Sequence, residues 1–178
     1  MGYAQGGLER ARAALTRARA LAHASGDRDT LVRSEELSAR VEWGLGNLQA
    51  ARDWFARALE GYRALPIPWG TGNALLGMSG VAIESDDPDE AERLLAEATS
   101  VLRDAGPWFQ SRALLVRAIL AVSRGNADDA IALVRESLTR IRDLQDKYAL
   151  IHALVPLAAA AALKGDDAWA ARIMGAGD

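Results

Sequence analysis

Gly46-Asn47-Leu48-Gln49-Ala50-Ala51-Arg52-Asp53-Trp54-Phe55-Ala56-Arg57-Ala58-Leu59 is the stretch that decides the fold. A turn residue, Gly46, is followed five positions on by a small one, Ala51, and four further on by a large apolar one, Phe55. The figure recurs along the chain as Gly6/Ala11/Leu15, Asp86/Ala91/Leu95, Gly125/Ala130/Val134 and Gly165/Ala170/Met174. The alanines are 40, 40, 39 and 40 residues apart. Self-similarity at one period of this size marks a stack of identical units, none of which can bury its apolar face alone.

Each unit reads as a pair of helices. In 86–104 the apolar residues Ala91, Leu94, Leu95, Ala98, Val101 and Leu102 form a 3.6-residue stripe, with charged residues mostly off it. Asp87 is placed to cap this helix, Pro88 suits its first turn, and Glu90 sits where a capping box needs it. Gly106 and Pro107 read as its stop. Asn47 opens a helix over 48–65, Asn126 one over 127–147, and Asp166 or Asp167 a last segment. Partner helices are expected over 29–45, 71–85, 108–124 and 148–164, with Pro156 bending the last. Residues 1–5 read as the tail of a helix whose body is missing, and 168–178 as a helix cut short. No stretch alternates with the period of a strand.

Composition narrows the class. The chain has 178 residues, 50% hydrophobic and 25% charged, a soluble globular balance. It has no cysteine, which excludes disulfides, thiolate metal sites and cysteine nucleophiles. The longest apolar run, Leu154–Leu163, is too short to cross a bilayer, and no signal peptide is visible, so a cytoplasmic location is expected. A net charge of −3 argues against direct nucleic-acid binding.

The second half of each unit, Gly46-Asn47-x3-Ala51-x3-Phe55-x2-Ala58-Leu59 and its counterparts at Asp86 and Gly125, resembles the tetratricopeptide repeat. Twelve residues before each key alanine stands a small residue of the first helix: Ala39, Ser79, Ala118 and Ala158. Small side chains at this crossing let the two helices approach closely. The unit here is near 40 residues where the family's usual one is 34. The aromatic-rich first helix is not kept, with Glu35, Leu75, Leu114 and Leu154 at the position where Trp is common. Long, alanine-rich units of this kind resemble the C-terminal arrays of bacterial regulators, LuxR-type activators of the maltose-regulator kind among them.

The resemblance implies an all-α fold: a right-handed α-solenoid of antiparallel helix hairpins with about nine helical segments. The units fall at 1–28, 29–68, 69–106, 107–147 and 148–178, the outer two partial, in a single domain 1–178 that reads as a fragment of a larger protein.

Chemistry is sparse. No phosphate-binding loop is present, and Lys164-Gly165 has the wrong order for one. His23 and His152 lie far apart, and Ser111, Ser123 and Ser137 lack a nucleophile elbow. The acidic run Glu84–Glu90 lacks the alternation of a calcium loop and reads as a solvated turn. Arg10, Arg12, Arg17 and Arg19 read as a solvated helix face. No cofactor, metal or catalytic residue is expected. The chain reads as a non-catalytic sensor or interaction module of a bacterial regulator.

On the family's geometry the first helices line a concave groove for a protein, a peptide or a small effector. That groove would present Arg33, Glu36, Arg40, Trp43, Asn73, Leu76, Ile83, Glu84, Arg112, Leu115, Ile119, His152 and Val155. Trp43 is either its anchor or a packing ring between helices; Trp54, Trp69, Trp108 and Trp169 read as seam or loop fillers. The alternative is an oligomerisation scaffold pairing through exposed solenoid ends.

Overall fold

Nine helices account for most of the chain in the computed structural model, which describes residues 2–142 and 147–175. They are α1 (Gly2–Ser25), α2 (Arg28–Gly44), α3 (Leu48–Ala64), α4 (Pro68–Glu84), α5 (Pro88–Val101), α6 (Pro107–Ser123), α7 (Ala127–Ile141), α8 (Lys147–Leu163) and α9 (Asp167–Ile173). Among the described residues there is no strand, and no helix is long and apolar enough to cross a membrane. Each helix packs on the next. The even-numbered helices α2, α4, α6 and α8 also touch one another in succession, whereas the backbones of the odd-numbered ones do not. The even set therefore lies on the inner radius of a solenoid and the odd set on the outer.

The repeat register holds atom by atom. Ala51, Ala91 and Ala130 are all fully buried, as are Ala39, Ser79 and Ala118, the small residues opposite them. The Ser79 hydroxyl donates to the Ala91 carbonyl at 3.0 Å, an approach that only a small pair permits. Phe55, Leu95 and Val134 fill the next groove along, each 1% exposed or less. The turn residues Gly46, Asp86, Gly125 and Gly165 all carry positive φ (80°, 57°, 73° and 79°). Asp86 is the one non-glycine among them, in a conformation that short polar side chains tolerate better than most.

The middle of the solenoid is organised by α4. A side chain added at Gly80 would meet the Trp43 ring at 2.3 Å, and one at Gly77 the Phe55 ring at 2.3 Å. Gly70 and Gly72 stand in the same way against Tyr62 and Leu102. The inner helix is thus a row of sockets for bulky groups from its neighbours. Trp43, Phe55, Leu75, Leu76, Leu95 and Leu102 belong to one apolar cluster running from α2 to α6. A second, smaller cluster joins α6, α7 and α8 and is built mostly from alanines.

Several boundaries differ from the sequence reading. Gly6 does not turn: α1 is continuous from Gly2. Helix α7 ends at Ile141, and Lys147 belongs to α8; the end of the expected 127–147 helix falls partly on 143–146, outside the described residues. Helix α5 stops at Val101, and Gly106 (φ 98°) precedes α6, with Pro107 at the start of that helix. Likewise α4 begins at Pro68, three residues before the expected start at 71. Asp87 accepts from the Glu90 amide as expected, at 3.1 Å, but the Glu90 carboxylate pairs with Arg93 at 2.7 Å and makes no capping box. Asn47 makes no cap bond; its amide donates to Glu42. Pro156 lies buried inside α8.

Two of the four N-terminal arginines are not a solvated face. Arg12 grips Glu42 with two hydrogen bonds of 2.8 Å, tying α1 to α2. Arg19 donates to Ser38 and lies over the Trp54 ring, whose other cation is Arg57.

Candidate functional site

Three successive inner helices bring a polar cluster together. On α2, Glu36 receives Arg40 (Nη2 at 2.7 Å) on one carboxylate oxygen and the Tyr62 hydroxyl of α3 (2.6 Å) on the other. On α4, the Asn73 amide oxygen receives the Arg112 guanidinium of α6 at 2.7 Å. Burial and the hydrogen bond to Glu36 push the Tyr62 hydroxyl well above its ordinary range, so it stays a donor. Arg112 is half-buried, and burial, reinforced by the charge of Arg40, pushes its guanidinium down to about 10. It remains charged at neutral pH. Among the described residues no carboxylate oxygen lies within 4.0 Å of it.

Aromatic rings border this cluster. Trp69 stands 5.8 Å from Tyr62 and 6.5 Å from Phe109, centroid to centroid, and Phe109 is 4.9 Å from Trp108. Arg33 lies over Trp69 at 4.9 Å while pairing with Asp29 at 2.8 Å; Arg112 lies over Trp108 at 5.1 Å. Cations over ring faces of this kind hold both partners in place.

The residues expected to line the groove divide into three groups. Arg33, Glu36, Arg40, Asn73 and Arg112 converge as described. Leu76 and Leu115 do not face it: they are 1% and 4% exposed, because an inner helix is apolar on both flanks where it is sandwiched between hairpins. Trp43 is half-buried, edge-on to Phe55 at 6.4 Å and seated over Gly80, which is the packing arrangement left open above. Ile83 and Ile119 are half-buried, Ile83 against the central cluster. Glu84, His152 and Val155 are exposed, the last two on α8 and apart from the cluster.

The sequence reading missed Tyr62, which reaches the inner face from an outer helix, and the bordering role of Trp69, Trp108 and Phe109. Its available signal was the pair Pro68-Trp69 and Pro107-Trp108, identical dipeptides 39 residues apart at the start of successive inner helices. Among the described residues no cluster of three or more His, Asp or Glu could hold a metal ion.

This geometry is a two-layered stack of hairpins with a polar, cationic inner face. Residues 31–104 match the family model of the tetratricopeptide repeat. The match spans α2 to α5. Tetratricopeptide repeats generally mediate protein–protein interaction, and the family is generally non-catalytic. The crystal structure of BtubC (BKLC) from P. vanneervenii is similar, with a TM-score of 0.62 at 19% identity. The alignment covers 84% of this chain and 65% of that one, so the chain spans about two thirds of that structure's length. At this identity the likeness shows the tetratricopeptide-like fold alone. No curated protein matches the chain in sequence.

Proposed function

We propose that the chain is a protein-binding tetratricopeptide module whose inner face receives an extended or helical segment of a partner through an acidic side chain. The observation that carries this is Arg112. It is a half-buried cation held by an amide, beside a second arginine whose carboxylate partner, Glu36, is already shared with Tyr62. A carboxylate entering here would exchange a neutral partner for a charge-assisted pair. Trp69 and Phe109 offer half-buried apolar surface next to it, the composition of an interface hot spot.

Peptide display against the protein tests the reading. Selected sequences should carry Asp or Glu, and Arg112→Gln should weaken them about tenfold or more, the worth of one charged hydrogen bond. Asn73→Ala should weaken them less. Selected peptides that bind Arg112→Gln as tightly as the parent, with its melting temperature unchanged, would overturn it.

Within this reading the module is the sensor or interaction region of a cytoplasmic bacterial transcriptional or signalling regulator, with a small effector as a further ligand class. What supports that context is the likeness of its long, alanine-rich units, Ala153–Arg172 above all, to the arrays of such regulators. A second reading, an oligomerisation scaffold, is favoured by one observation. Leu150, Ile151, Leu154 and Val155 on α8 are 41–59% exposed, a contiguous apolar stripe at one end of the solenoid. Light scattering over a concentration series decides it: a strict monomer at high concentration removes the scaffold.

A further inference from the structure

The outer surface breaks its own pattern at one seam. Between α3 and α5, Arg63 pairs with Glu97, linking two successive outer helices. The repeat spacing carries Arg63 to Arg103 and Glu97 to Glu136, so the next seam should hold the same bridge. It does not. Helix α3 runs past Arg63 to Ala64, whereas α5 ends at Val101 and leaves Arg103 in the turn, where the Gln110 amide donates to its carbonyl at 2.5 Å. Meanwhile Glu136 is taken by Arg140, with bonds of 2.6 and 3.2 Å. Earlier units have Val101 and Gly61 at the position of Arg140. One unit therefore has an extra arginine, and Arg103 has no carboxylate within 4.0 Å among the described residues.

The cationic surplus surrounds a cavity. About 350 Å³ of space lies between α5, α6 and α7, with Ala96 and the half-buried Leu114 as its accessible apolar surface over the buried Leu102 and Ala113, and Arg103, Arg117 and Arg140 among its polar groups. Among the described residues no acidic side chain lines it. Arg117 reaches Glu92 only at 3.7 Å, and Arg124 holds the same carboxylate at 2.7 Å. Gln110 fixes one wall, since its carbonyl oxygen receives Arg140 at 2.7 Å while its amide holds the turn. A volume of this size, apolar surface and a few placed polar groups are the ordinary makings of a small-ligand site. Planar guanidinium groups favour a carboxylate, which two of them can share.

We infer that this seam is a binding site for a small amphipathic carboxylate, its apolar body on Ala96 and Leu114 and its anion between Arg103 and Arg140. The site lies where the outer helices α5 and α7 flank α6, shares no residue with the inner cluster, and stands whether or not the inner face binds a partner. It replaces, with a ligand, the ion pair that the preceding seam makes internally.

Isothermal titration with naphthalene-1-acetate, its neutral analogue naphthalene-1-ethanol and inorganic phosphate tests it. The carboxylate should bind with a Kd of roughly 0.1–1 mM; the alcohol should bind at least tenfold more weakly, and phosphate no better than the alcohol. Arg103→Gln should weaken the carboxylate about tenfold. Arg103→Glu, which supplies Arg140 with an internal carboxylate, should abolish binding. Arg93→Gln, on α5 but outside the cavity, should change nothing. Equal binding of acid and alcohol, or carboxylate binding unaltered in both Arg103 variants with intact melting curves, would overturn the proposal. So would the absence of any heat at 5-fold the upper expected Kd.

Discussion

Helices α4 and α8 occupy the same position in their units and solve it in opposite ways. Helix α4 is buried on nearly every side and carries four glycines whose missing side chains admit Tyr62, Leu102, Phe55 and Trp43. Helix α8 fills the same slot with alanines and leaves Leu150, Ile151, Leu154 and Val155 exposed. The residues of α6 equivalent to Ile151 and Val155, Ser111 and Leu115, are 1% and 4% exposed. What differs is the cover. Outer helix α7 has 15 residues, long enough for Ser137 to reach Ser111 at 2.7 Å; α9 has 7. A unit of this kind acquires its stability from the neighbours that close over it rather than from its own sequence.

The largest effect expected from this contrast is at Phe55. Phe55→Ala should cost about 3–5 kcal/mol, since it empties the Gly77 socket as well as losing the ring. The equivalent Val134→Ala in the alanine-built half should cost clearly less, about 1–3 kcal/mol. Urea unfolding of both variants measures the pair, and equal costs would erase the distinction between the two halves.

Gly80→Ala should come next. The added methyl would stand at 2.3 Å from the Trp43 ring, so the ring must shift. Overpacking of this kind costs about 1–3 kcal/mol, offset by about 1 kcal/mol of improved helix propensity. A net stabilisation would show that the socket is loose.

Acid should act on a different part. Hydrogen bonds from Arg12 hold the Glu42 carboxyl below its ordinary range, and the Thr30 contacts do the same for Asp27. Both groups stabilise the α1–α2 end when ionised. That contribution is fully present above the ordinary carboxylate range, about pH 4, and is lost as pH falls through the lower folded values. Amide exchange should therefore show α1 loosening before α4 on acidification, and Glu42→Gln should blunt the difference. Simultaneous loosening would contradict a polar tie at this end.

Least of all should happen at α8. Ile151→Ser should change the stability of a monomer by no more than about 0.5 kcal/mol. A larger loss, dependent on protein concentration, would instead mean that a second copy covers the stripe.

The fold was legible because a repeat states its own rule several times. Ala51, Ala91 and Ala130 need no propensity argument once they are seen forty residues apart, and each lies at the same crossing. Gly6 misled for the same reason: the figure was present, yet α1 runs straight through it, because a glycine permits a turn without requiring one. The glycines of α4 carried no visible meaning, because a helical glycine reads as a weak point until the ring that occupies its space is known. The inner cluster was legible in its charged members and illegible in its apolar ones. Period alone cannot tell which flank of a sandwiched helix faces a groove, so Leu76 and Leu115 were placed on the wrong one. Tyr62 enters from an outer helix, which only tertiary packing reveals.

Native-state hydrogen exchange on the monomeric protein tests the central claim most directly, that closure by neighbours sets the stability of each unit. The account predicts that amides of α4 exchange only through the slowest, most global opening, while those of α8 and α9 exchange through a far easier local one. Equal protection of α4 and α8 in a strict monomer would contradict it.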